Sequence, residues 1–348
     1  MELTLNQTNK TKSIAILMML CIHLFNTQNY NGLFTPTIFI GDKPFIYYFS
    51  MFCDSALPID CFCGGYGLYI YYQKDKISYV HKNFIRLFKL YINYWIILLL
   101  IPVGYGLYLG TNSNYPSTFL NFILNFFAIN TTYCGAWWFM TTYVLMVLIS
   151  PFVFHMIDKY NYKIIISISF LFYVFGFTQR VKNIIFFDNW ILDYLIKHLA
   201  LLGYCQILFI IGAISYQQKW YSKFQNLFLN LNNKNYFLLA IIFLCIIFRC
   251  FVPSYSVAFI TGFIFVFCFN GLTLRPFTEK IMIYISEQSR NIWFAHMFFY
   301  AYFFKEIIYA PKHPILIFIW LLSWCLVTSH LVNFIYNPIL KWLNAKIK

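Results

Sequence analysis

Long apolar runs recur along the whole chain, each of about 18 to 25 residues, and a helix of that length crosses a hydrocarbon core of about 30 Å. None of the runs shows the two-residue alternation of a barrel strand. The expected fold is therefore an all-α polytopic integral membrane protein. Composition agrees: of 348 residues, 61% are hydrophobic and only 10% charged. A soluble domain has roughly 45–50% and 25%.

In a soluble protein the net charge of +14 would point to nucleic acid. Here the basic residues fall in short loops between apolar runs, where they orient helices against anionic membrane lipids, so no nucleic-acid partner is expected. With the N-terminus inside, the inner segments collect Lys10, Lys12, Lys74, Lys76, Lys82, Arg86, Lys89, Lys159, Lys163, Lys219, Lys223, Lys234, Arg275, Lys280 and the C-terminal lysines. The outer segments hold chiefly Lys43, Arg180, Lys182, Lys197, Arg249, Lys305 and Lys312. No small-residue cleavage pattern follows the first run, which is read as a retained anchor. The 10 cysteines show no CxxC or metal-type spacing and are read as small buried hydrophobes; no metal is expected.

The runs place about ten transmembrane helices at 12–29, 55–72, 86–108, 136–156, 162–179, 199–216, 236–252, 254–271, 281–304 and 315–337. They form a single membrane domain over 1–348 with both termini cytoplasmic. Residues 45–53 read as an interfacial or irregular piece, 118–130 as a re-entrant one, and 180–198 as a segment lying on the outer surface. Gly64, Gly65 and Gly67 are expected to give helix two a close backbone approach.

Ionisable groups inside a span are functional candidates by default, because each costs several kcal/mol unless paired or wet. Lys12 and His23 stand eleven positions apart on helix one, which returns them to nearly the same face about 16 Å apart along the axis. A histidine suits proton abstraction from a hydroxyl because its ordinary pKa is about 6.5. The plainer readings are a flanking lysine and a packing histidine. Asp54 and Asp60 are either solvated helix ends or groups that orient an imidazole or meet an acceptor. Arg86 and Lys89, at the inner start of helix three, suit the phosphates of a nucleotide-bearing donor or serve as flanks. Trp137 and Trp138 read most simply as aromatic-belt residues. On helix nine Glu287 and Arg290 can pair at i,i+3, while His296 lies deeper on another face. Arg249 and Glu306 can snorkel.

These residues together resemble the membrane acyltransferase 3 family, which includes O-acetyltransferases of bacterial surface polysaccharides. The stretch KSIAILMMLCIHLF resembles that family's first-helix pattern of a basic residue, ten intervening residues and a histidine, at Lys12 and His23. Lysine replaces the usual arginine and loses its fork of donors. LPIDCFCGGYGLYI resembles a Pro-x-Phe-Phe-x-x-Ser-Gly-Tyr stretch, with Pro58, Gly65 and Tyr66 kept, Asp60 in place of an aromatic and Gly64 in place of serine. NFIRLFK resembles an Arg-x-x-Arg motif with Arg86 kept and Lys89 substituted, and GAWWFM a Trp-Phe-Leu motif at Trp138. LFIIGAISY matches at Gly212, and YISEQSRNIWFAHMFF resembles a late Ser-x-x-Tyr-Leu-x-His motif at His296.

The resemblance implies an inner-membrane enzyme of a bacterial cell that moves an acyl group, usually acetyl, from acetyl-CoA or another acyl-CoA to a sugar hydroxyl of a surface polysaccharide or lipid-linked glycan. It makes His23 the base or the acyl relay, and gives Lys12, Arg86, Lys89 and Trp138 to the donor. Asp60, Tyr66, Glu287, Arg290 and His296 go to acceptor binding or support. The competing reading from the residues is a transporter of polysaccharide or glycolipid intermediates, which also uses interrupted helices and midplane charges.

Overall fold

The computed structural model describes residues 2–110, 114–185, 189–228 and 231–347. Lys348 and parts of the expected connections at 110–135 and 180–198 lie outside the described residues. The helices are α1 (Leu5–Phe25), α2 (Phe45–Phe52), α3 (Ala56–Lys74), α4 (Tyr79–Leu98), α5 (Gly106–Tyr108), α6 (Phe119–Phe126), α7 (Trp138–Lys159) and α8 (Tyr162–Lys182). They continue as α9 (Trp190–Gln217), α10 (Trp220–Asn226), α11 (Lys234–Phe251), α12 (Ala258–Gly271), α13 (Pro276–Met297), α14 (Lys305–Tyr309) and α15 (Pro314–Ile347). Two short antiparallel strands, β1 (Phe39–Ile40) and β2 (Lys43–Pro44), pair Phe39 with Pro44. Among the described residues the fold is otherwise all-α.

Local chemistry explains where these elements depart from the sequence expectation. The first helix starts at Leu5 because Thr4 and Gln7 form a capping box, each side chain accepting from the other's backbone N–H (3.2 and 2.9 Å). It stops at Phe25, short of 29, where the chain turns polar. The third expected helix begins at Tyr79, after Asp75 accepts the Ser78 N–H at 3.1 Å. Asn189 caps α9 by accepting from Ile191 and Leu192, so the second half of the expected surface segment is continuous with the following helix. The piece at 45–53 is mostly the helix α2, and the stretch at 118–130 contains α6, whose eight residues span only about 12 Å. Pro102 sits in a π-helical stretch, Leu99–Tyr105, that follows α4, and Pro338 lies inside α15, which runs on past 337.

Among the described residues six helices are long and apolar enough to cross a membrane: Tyr79–Tyr108, Gly135–Lys159, Tyr162–Lys182, Trp190–Gln217, Lys234–Phe251 and Pro314–Lys346. The helix at 254–271 is not among them, its apolar stretch Tyr255–Gly271 being shorter, and neither are helices α1, α3 and α13. Those three carry Lys12, His23, Asp60, Glu287, Arg290 and His296, whose polarity lowers the mean hydropathy of their helices.

The chain divides into two compact units. The first comprises Met1–Gln28, Ile38–Val80 and Leu145–Ser286. Its centre is the α3–α9 pair, where a Cβ on Gly65 would lie 1.8 Å from the Phe209 carbonyl oxygen and one on Gly212 would lie 2.3 Å from that of Phe62. Neither position admits a side chain, so the backbones touch. Of the three glycines expected to matter in α3, only Gly65 makes such an approach; a Cβ on Gly64 would meet only the Phe209 ring, and one on Gly67 nothing.

Arg249 is fully buried in this unit and does not snorkel as expected. It donates to the carbonyls of Met51 (2.9 and 3.2 Å), Val252 (3.3 Å) and Ser254, and pairs with buried Asp54. Asp54 is thus an internal counter-ion rather than a solvated helix end.

The second unit comprises Asn29–Thr37, His81–Val144 and Glu287–Lys348. Tyr94, Trp137, Phe294 and Phe298 form its aromatic centre, with Tyr94 and Trp137 rings 4.8 Å apart. Trp137 has no exposed surface and donates its indole N–H to the Phe294 carbonyl at 3.0 Å, so it is a core residue and not part of an aromatic belt. Trp138, one position on, is half-buried and packs on Phe139.

Candidate active site

In the first unit α1 is one unbroken helix, so Lys12 and His23 do project from nearly the same face, about 16 Å apart along the axis. Both are half-buried. The neighbours of α1 fix its rotation. Tyr66 accepts the Leu3 N–H at 2.9 Å and donates to Glu2 at 3.1 Å, and Glu2 in turn accepts the Ser222 N–H at 3.1 Å. Deeper along the helix Thr11 accepts from Asn270 at 2.7 Å, Gln7 donates to Tyr221 at 2.9 Å, and Lys10 pairs with Glu279. These bonds all use the sides of α1 away from the Lys12–His23 face.

Asp60 projects from α3 and is half-buried. The positive charge of Lys12 is felt at Asp60 and, one turn further along α3, at Cys63, without an ion pair to either among the described residues. The two positions that depart from the family pattern, a lysine for arginine and an aspartate for an aromatic, are therefore electrostatic neighbours. Tyr66 is completely buried and its hydroxyl is taken up by Leu3 and Glu2, which makes it a pin for the start of α1. A nearby hollow is lined by Leu57, Pro58, Cys61, Tyr173, Tyr204 and Cys205 and contains none of the candidate ionisable residues.

Outside the spans, at the end of α3, Lys76 donates to Asp158 at 2.5 Å, as does Gln73 at 2.7 Å. That hydrogen bond raises the Lys76 ammonium above its ordinary range.

In the second unit Arg86 and Lys89 lie one turn apart on α4, both half-buried. Arg86 donates to Asn83 at 2.8 Å and Lys89 to Asn344 at 2.6 Å. On α13 Glu287 and Arg290 are exposed. In place of the expected i,i+3 pair, Arg290 donates to the hydroxyl of Tyr336 at 3.4 Å, and that hydroxyl donates to the Lys89 carbonyl at 3.2 Å. His296 has no exposed surface; its Nδ1 bonds to the Trp293 carbonyl at 2.7 Å, which places a proton on that nitrogen.

The sequence reading passed over a buried amide and hydroxyl network that joins α13 to α15. Gln288 accepts from Ser329 at 2.7 Å and from Asn333 at 2.8 Å, while Asn291 donates to Ser329 at 2.9 Å and to Asn333 at 3.0 Å. Its sequence signal is polar residues at i,i+3 and i,i+4 inside apolar runs. Tyr336 and Asn344, which bridge to Arg290 and Lys89, carry no comparable signal.

A family model described as an acyltransferase domain matches residues 11–334. No curated protein and no solved structure matches the chain.

Proposed function

The chain belongs to the acyltransferase 3 family of membrane acyltransferases, and from that premise we propose that it moves an acyl group, in the usual case acetyl, from acyl-CoA to a sugar hydroxyl. The acceptor is a cell-surface polysaccharide or its lipid-linked precursor. In this reading the protein sits in a bacterial inner membrane with about ten spans and both termini in the cytoplasm. The excess of lysine and arginine in the inner segments supports that orientation.

His23 takes the proton of the acceptor hydroxyl, the hydroxyl oxygen attacks the thioester carbonyl, and the CoA thiolate leaves and recovers the proton from the imidazolium. Lys12 holds the thioester carbonyl or a donor phosphate, and its charge neighbour Asp60 holds Lys12. On the second unit Arg86 and Lys89 bind phosphate, and Trp138 offers the donor a half-buried ring face. Tyr66 supports the site by pinning the start of α1, and Glu287 and His296 are assigned to the acceptor side.

The observation that carries this reading is the continuous α1, which presents a cation and an imidazole on one half-buried face while its other sides are tied down. The test is acyl-CoA consumption by purified protein. His23→Ala is expected to lower the rate about 10²- to 10⁴-fold in protein that still inserts and folds. Transfer at the parental rate by a correctly inserted His23→Ala protein would remove the centre of the reading.

A further inference from the structure

Arg290 carries a full charge on an exposed position of α13. Among the described residues its guanidinium makes one hydrogen bond, to Tyr336, which leaves most of its N–H donors uncommitted. Tyr336 also donates to the Lys89 carbonyl, and the Lys89 ammonium reaches Asn344 further along α15. Three helices of the second unit, α4, α13 and α15, therefore bring Arg290 and Lys89 to a shared tyrosine, with Arg86 one turn before Lys89 on α4. The acid on the same stretch of α13 is Glu287, three positions away and exposed.

A coenzyme A donor carries a pyrophosphate and a separate ribose phosphate. Two cations one turn apart on a single helix form one compact contact, and a further cation on a neighbouring helix widens it towards the second phosphate group. An arginine with free forked donors is suited to a phosphate, which it holds bidentately. A sugar hydroxyl is met as well by an uncharged donor, whereas a phosphate also uses the charge.

We propose that Arg290 is a phosphate-binding residue for the donor, acting with Lys89 and Arg86 across the Tyr336 bridge, and does not belong to the acceptor side. The inference rests on the acyl-CoA reading above. It is tested on the full-length protein in neutral detergent without phospholipid, by calorimetric titration with CoA. Arg290→Gln is expected to weaken CoA binding about tenfold, the loss of a charge-assisted hydrogen bond. Arg290→Lys keeps the charge without the fork and is expected to lose about threefold. Both variants should melt with the parent, because the residue is exposed.

Arg290→Gln protein that binds CoA as tightly as the parent overturns the assignment. So does a variant that binds CoA normally but loses retention on phosphatidylglycerol vesicles, which would give Arg290 to lipid phosphate. A parental chain that binds no CoA overturns the acyl-CoA reading and this inference with it.

Discussion

Arg249 in the first unit and Arg290 in the second are both arginines on helices of a membrane protein, and they lie at opposite ends of a scale of saturation. Arg249 has no exposed surface and is enclosed by three backbone carbonyls and a carboxylate. Arg290 is exposed and, among the described residues, holds a single tyrosine hydroxyl at 3.4 Å. A cation whose donors are all met by its own chain fastens the α2–α3 corner to the end of α11 and has nothing left for a ligand. A cation with spare donors can accept an anion. Residue type is the same in the two cases, so partner count separates structural charge from available charge.

Opening the saturated end of the scale should have the largest effect. Arg249→Met leaves Asp54 buried without its cation and is expected to cost about 3–5 kcal/mol, seen as a lower melting temperature in detergent. Adding Asp54→Leu should recover most of that loss, since replacing both partners with apolar groups is often neutral. A single variant as stable as the double would break the comparison.

An intermediate effect is expected where polar groups are saturated but uncharged. Gln288→Leu removes the acceptor shared by Ser329 and Asn333, and a thermal melt should show a loss of about 1–3 kcal/mol.

The smallest effect belongs to a pair in contact with water. The Lys76 side chain is 51% exposed, so Lys76→Gln should change stability by about 1 kcal/mol or less. The pair's contribution also has a direction in pH. A cation whose value is raised by folding contributes fully below its unfolded value, and the contribution fades as pH rises through the folded one. Parent and Lys76→Gln should therefore differ at neutral pH and converge in strong alkali.

The sequence made the all-helical membrane class legible through the length and spacing of its apolar runs, and family membership through Lys12, His23 and the ordered motifs after them. What it hid has physical causes. Arg249 is satisfied mainly by the carbonyls of Met51, Val252 and Ser254, and a backbone acceptor leaves no mark in a sequence. Arg290 turns to Tyr336, 46 positions away, and a partner that distant leaves no mark in the local spacing. Trp137 and Trp138 differ by about 100° of helical rotation, and only packing decides which one enters the core. The start of α1 was legible, since Thr4-x-x-Gln7 is a capping box, but the apolar run behind it is the stronger signal and draws attention away.

The amide network between α13 and α15 has a consequence for biogenesis. In the ten-span reading α13 enters the bilayer, yet the polar stretch from Glu287 to Asn291 makes it a poor segment to release into lipid alone. Gln288 and Asn291 find their partners on Ser329 and Asn333 of α15, a helix apolar enough to insert by itself and translated later. The insertion machinery then has to hold α13 until α15 emerges, and the last helix of the chain serves as the chaperone of the long helix before it.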